Sequence, residues 1–167
     1  MTRREAREQA FILIFAKSFR SESVGELIDI AEESGSLVLS HADLLKENYE
    51  LRLDPFAEQT ALKIEQHIEE LDERIERLSF KWKKNRISKV AFAVLRLALY
   101  EMLFDDEIPL GVSINEAVDI AKKYAGEEDS SFVNGVLGSA AKELEAKPSQ
   151  GSSDSIPDQS STSEEQD

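Results

Sequence analysis

The sequence predicts an all-α protein. Three observations carry this: seven glycines and four prolines in 167 residues, 41% apolar against 32% charged residues, and apolar residues recurring every three or four positions behind helix-capping patterns. At this length one compact domain, or two closely packed halves, can bury a true core.

Thr2-Arg3-Arg4-Glu5 has the spacing of a capping box, and Ala6, Ala10, Phe11, Leu13 and Ile14 follow it, so the first helix should cover about residues 3–18. Ser23-Val24-Gly25-Glu26 repeats the pattern. Val24, Leu27, Ile28 and Ala31 then form one apolar stripe, ended by Ser34-Gly35. Residues 35–53 lack a clean period; Leu37-Val38-Leu39 has no partner strand, so the segment reads as a connection. Asp54-Pro55 is an N-cap followed by proline at the first helical position, leading a stripe of Ala57, Ala61, Ile64, Ile68 and Leu71. A shorter helix carrying Ile75 and Leu78 comes next. From Ile87 to Phe104 nearly every face is apolar, as a helix surrounded by others requires. Ile108-Pro109-Leu110-Gly111 ends it, and Ser113-Ile114-Asn115-Glu116 reads as a third capping box opening a helix that Gly126 terminates. Asp129-Ser130-Ser131 caps a last helix faced by Phe132, Val133, Val136, Leu137, Ala140 and Leu144. Gly135 and Gly138 lie inside it at a cost of about 0.5–1 kcal/mol each relative to alanine, which a close neighbouring backbone would explain.

From Lys147 the composition turns to Ser, Pro, Gln, Asp and Glu, with Ile156 the only large apolar residue. The division is therefore a helical domain over 1–146, with sub-bundles of about 1–71 and 72–146, and a disordered acidic tail over 147–167.

The net charge of −14 opposes general nucleic-acid binding. The charge is unevenly placed, however. Ser79 to Arg96 contains no acid, while Lys81, Lys83, Lys84, Arg86, Lys89 and Arg96 make it +6, and Arg3, Arg4 and Arg7 form a second basic cluster.

Chemistry is sparse. There is no cysteine, which removes disulfides and thiolate chemistry and fits a reducing, cytoplasmic setting. No run is long and apolar enough to span a bilayer. His41 and His67 lie in different elements, and neither has a second histidine at helical metal-site spacing, so no metal is assigned. No phosphate-cradling glycine motif or nucleophile elbow occurs. Cofactors are expected to be none, and the chain is read as a binding protein, not an enzyme.

Four stretches carry a resemblance: Arg3-Arg4-Glu5-Ala6-Arg7-Glu8; Val94-Leu95-Arg96-Leu97-Ala98-Leu99-Tyr100-Glu101; Ile114-Asn115-Glu116-Ala117-Val118-Asp119-Ile120-Ala121-Lys122-Lys123-Tyr124; and Asp129-Ser130-Ser131-Phe132-Val133-Asn134-Gly135-Val136-Leu137. In this order and spacing the chain resembles the NusB transcription-antitermination family over about residues 3–142. The resemblance implies a seven-helix fold of two packed helical bundles, and a protein that binds boxA-type single-stranded leader RNA together with the ribosomal protein NusE, within the transcription elongation complex, in support of rRNA transcription. It also implies RNA-facing roles for Arg3, Arg4, Arg7, Lys122, Tyr124, Asp129 and Phe132, with arginines engaging phosphates and the two rings stacking on bases. Phe132 also fits the core, and Asp129 a helix cap. Asn134 and Gly135 match the family and read as packing residues. Two positions depart from the family pattern: Ala91 stands where a glutamate would face the ribosomal protein, and Ile12 replaces a polar residue. The alternative function is a protein-binding helical scaffold, or a homodimer, without specific RNA binding.

Overall fold

A computed structural model describes residues 2–34, 53–82 and 87–146. All of the expected connection at 35–53 except Leu53, with His41, the cations Lys83, Lys84 and Arg86, and the acidic tail, lies outside the described residues. Within them are seven α-helices and no strand: α1 (Arg3–Lys17), α2 (Val24–Ser34), α3 (Pro55–Gln66), α4 (Ile68–Ser79), α5 (Lys89–Phe104), α6 (Leu110–Tyr124) and α7 (Glu127–Ala146), with a single 3₁₀ turn at Phe80–Trp82 after α4.

Local chemistry fixes most of the helix starts. At α1 the Thr2 hydroxyl accepts from the Glu5 N–H, and the Glu5 carboxylate accepts from the Thr2 N–H, closing the capping box. Ser23 and Glu26 do the same for α2. Asp54 caps α3 by accepting from Phe56 N–H at 2.7 Å, ahead of Pro55. Ser88, which has no glutamate three residues on to mark it in the sequence, caps α5 by accepting from Ala91 N–H at 3.0 Å. Gly126 ends α6 at φ 107°, a left-handed conformation that glycine adopts without a Cβ clash.

Three expectations need correction. The helix expected to run from Pro55 through Leu71 breaks at His67, whose φ of −108° and ψ of 14° leave the helical region, so Ile68 and Leu71 belong to α4. Ser113 does not open α6: the helix begins at Leu110 behind Pro109, and Ser113 is a buried interior residue. Nor does Asp129 cap the last helix, because α7 already begins at Glu127.

α1, α2 and α3 pack as one bundle, and α4 to α7 as the other. α5 joins them, touching α1 and α3 on one side and α4, α6 and α7 on the other. It is buried on nearly every face, as expected, but so is α1 from Phe11 to Ala16. The apolar core is one continuous cluster shared by both bundles. A side chain near the start of α1 can therefore reach α3, α5 or α6, depending on the face it occupies.

The two α7 glycines differ. A Cβ on Gly135 would lie 2.2 Å from Trp82 Cζ2, so an indole ring, and not the expected backbone, occupies that notch. A Cβ on Gly138 would meet nothing within 4 Å, and nothing in the structure explains a glycine there.

Candidate nucleic-acid interface

Successive helical residues point about 100° apart, so the three arginines of α1 diverge. Arg3 turns toward α3, its guanidinium 3.8 Å from the centroid of the Phe56 ring. Arg4 turns toward α6, with Nε 3.1 Å from Glu116 Oε2 and Nη2 donating to Asp119 Oδ2 at 2.5 Å. Arg7 points inward. Only 5% exposed, it donates from Nε to Glu101 Oε1 at 2.6 Å, and its Nη1 lies 3.8 Å from Glu116 Oε2.

Glu101 is itself buried, and its second oxygen accepts from Ser113 Oγ at 3.0 Å. Burial pushes its carboxyl above the usual carboxylate range, and Arg7 and Ser113 oppose that rise. Glu101 is thus the acid inside α5 that requires a buried cation, and Arg7 supplies it. The sequence did contain the signal: the one carboxylate of a largely apolar helix, and one arginine flanked by Ala6, Ala10 and Phe11.

The end of α6 lies against the same stretch of α1. Lys122 is exposed and, among the described residues, has no ion pair. Lys123, which is not among the expected site residues, is also exposed and donates to Glu8 Oε1 at 2.6 Å. The Tyr124 hydroxyl donates to that same oxygen, and its ring centroid is 5.0 Å from that of Phe11. Tyr124 is 8% exposed and Phe132 5% exposed. The two rings expected to stack on bases are core side chains in this structure, since neither leaves an open face for a base.

Asp129 sits in the first turn of α7 and accepts from Ser88 Oγ at 2.6 Å, tying that turn to the cap of α5. The structure therefore brings Arg3, Arg4, Lys122 and Lys123 to the surface around the start of α1 and the end of α6. Arg7 and Tyr124 lie beneath that surface as packing, Phe132 is buried in α7, and Asp129 braces a helix end.

The basic run is less available than its charge implies. Arg96 holds Asp72 through two hydrogen bonds of 2.7 Å and lies over the Phe92 ring. Lys89 donates to the Ser18 carbonyl at 3.2 Å above Phe19, whereas Lys81 is exposed. Ala91 is fully buried in the first turn of α5, and Ile12 is buried in α1, so both departures from the family pattern fall in the core. The expected partner-facing role at position 91 does not fit that burial. No cluster of metal-ligating side chains occurs among the described residues, and no helix there is long and apolar enough to cross a membrane.

Comparison with known proteins places the chain. The NusB family pattern matches residues 4–142. The transcription antitermination protein NusB of Acetivibrio thermocellus is 42% identical over 142 residues, covering 85% of this chain and 90% of that protein. Its counterpart in Natranaerobius thermophilus is 39% identical over 144 residues, covering 86% and 97%. Among solved structures, T. maritima NusB superposes with a TM-score of 0.61 at 34% identity, covering 86% of this chain and 92% of that one. A chain from the crystal structure of antitermination factors NusB and NusE in complex with dsRNA superposes with a TM-score of 0.63 at 29% identity, covering 84% and 96%. With its helices, its four motif stretches and its relatives in agreement over more than four fifths of its length, the chain belongs to the NusB family.

Proposed function

We propose that this protein is a transcription antitermination factor that binds boxA-type single-stranded leader RNA jointly with the ribosomal protein NusE. In this reading it acts in the cytoplasm on the transcription elongation complex, supports rRNA transcription, and performs no catalysis. The observation that carries the reading is the family match over residues 4–142. A structural neighbour in which NusB, NusE and dsRNA occur together supports both partners. The single-stranded preference is our own extension.

The RNA-facing residues are Arg3, Arg4 and Lys122, joined by Lys123. Arg7, Tyr124, Asp129 and Phe132 act from behind, holding α1, α6 and α7 in place. A chain with a net charge of −14 binds a polyanion weakly by itself, so a partner that adds cations along the same strand raises the affinity. The coupling is reciprocal and typically about 1–3 kcal/mol, or some 5–150-fold.

The test is a closed cycle: labelled boxA RNA titrated with and without NusE, and NusE titrated with and without RNA, with a duplex of the same sequence as a control. Equal tightening along both paths is expected. RNA affinity that ignores NusE, or a homodimer that forms in place of the complex, would leave a protein-binding scaffold as the function.

A further inference from the structure

Between α3 and the end of α5 lies a cleft of about 220 Å³ whose lining includes Phe56, Thr60, Lys63, Tyr100, Phe104 and Asp105, together with the paired Glu101. It is smaller than the roughly 300–1,000 Å³ of sites that enclose whole small molecules, which suits one planar group and not a complete nucleotide. Three of its walls are aromatic. Phe104 is 43% exposed and stacks on His67 at 4.3 Å, while Tyr100 lies at a tilt 5.5 Å from it.

A second feature points to a ligand. Thr60 lines the cleft and is only 6% exposed, and its hydroxyl has no hydrogen-bond partner among the described residues. A buried hydroxyl left unpaired costs stability, and a bound polar edge would relieve it. Asp105 accepts one hydrogen bond, from the Glu107 N–H at 3.1 Å, and a carboxylate retains further acceptor sites. Burial, and to a lesser degree Asp105, pushes the Tyr100 phenol up, so it remains a donor at neutral pH. Lys63 lines the cleft and supplies positive charge, and the Arg3 guanidinium lies over the ring of Phe56, another lining residue.

We propose that this cleft receives one unstacked nucleobase, guanine in preference to the others, from the RNA strand whose phosphates Arg3 engages. The inference rests on the RNA-binding reading above. Guanine fits because its Watson–Crick edge offers two adjacent donors, which a carboxylate accepts together, while its ring faces stack on the aromatic wall. Lys63, the one cation that lines the cleft among the described residues, can meet a phosphate beside the base.

RNA affinity is measured at fixed salt for the wild type and for Phe104→Ala, Thr60→Val and Asp105→Asn, with thermal unfolding alongside. Phe104→Ala should weaken binding about tenfold, the loss of one base–aromatic stack. Thr60→Val should weaken it while leaving the thermal midpoint unchanged or raised, because the hydroxyl has no partner to lose among the described residues. Replacing guanine by inosine, which lacks the 2-amino donor, should weaken binding to the wild type but not to Asp105→Asn. If the wild type binds RNA and these variants bind it equally well, the cleft assignment falls alone. It also falls if Phe104→Ala weakens only NusE binding, because the cleft then takes a protein side chain. If the wild type binds no RNA, the RNA reading and the cleft assignment fall together.

Discussion

Replacing Arg7 by alanine leaves the Glu101 carboxylate buried without its guanidinium. Glu101 is 3% exposed, and among the described residues the Ser113 hydroxyl remains as the one other donor to it. Breaking a buried pair from one side costs about 3–5 kcal/mol. For a domain of this length each kcal/mol lowers the midpoint by about 2–4 °C, which puts the loss at about 6–20 °C. Arg4→Ala, by contrast, breaks pairs on a side chain that is 62% exposed and costs at most about 1 kcal/mol. The contrast is sharpened by Arg7→Met with Glu101→Gln. That double variant removes both charges while the glutamine carbonyl can still accept from Ser113, so it should recover most of what Arg7→Ala loses. Calorimetry gives the midpoints, and RNA titration well below each midpoint gives the affinity of the folded form, which should be close to wild type for Arg7→Ala. A midpoint within about 2 °C of wild type together with a large loss of RNA affinity would refute this and make Arg7 a direct RNA contact.

Arg3→Ala should reduce the slope of log affinity against log salt by about 0.7, the value for one phosphate contact on a single strand; an unchanged slope removes Arg3 from the interface. Gly138→Ala should stabilise the protein by about 0.5–1 kcal/mol, since its Cβ enters open space. Gly135→Ala should instead drive the indole of Trp82 from its notch, costing about 1–3 kcal/mol and red-shifting the emission of the chain's single tryptophan. Truncation before Lys147 removes four net negative charges (five acids less one lysine). It should leave the thermal midpoint nearly unchanged and raise RNA affinity slightly at low salt, and a marked loss of helicity would contradict it.

Capping chemistry was legible because it is local. Thr2 with Glu5, Ser23 with Glu26, and Asp54 with Pro55 each satisfy helix-end N–H groups within a few residues, so sequence spacing alone places them. His67 was not legible, because Ile64, Ile68 and Leu71 keep helical spacing across it, and periodicity is blind to a break of one residue. The pattern Ser113-x-x-Glu116 misled for a related reason. It has the spacing of a cap, but both side chains are taken by groups distant in sequence, Ser113 by Glu101 and Glu116 by Arg4 and Arg7. Around the candidate interface the sequence brought the right residues into view without their depth. Arg3 and Arg7 belong to one arginine cluster in sequence, yet one lies on the surface and the other sits against Glu101. Burial depends on which helices surround α1, and the only hints of it in the sequence were indirect: the single carboxylate of α5 and the apolar neighbours of Arg7.

Glu116 lies between two arginines of opposite situation, 3.1 Å from the exposed Arg4 and 3.8 Å from the buried Arg7. Arg4 is therefore never a bare cation awaiting an anion. Glu116 and Asp119 act as tethered counterions, and a phosphate reaching Arg4 must displace carboxylates that cannot diffuse away. Few mobile salt ions are released in that exchange, so Arg4 adds less to the salt dependence of binding than Arg3. The displaced carboxylates also stay beside the phosphate and repel it. Random polyanions gain little from such a site, whereas a strand held elsewhere by a second protein can be kept there long enough to complete the exchange. A surface carrying its own competing anions thus discriminates by refusing ligands that come unaccompanied.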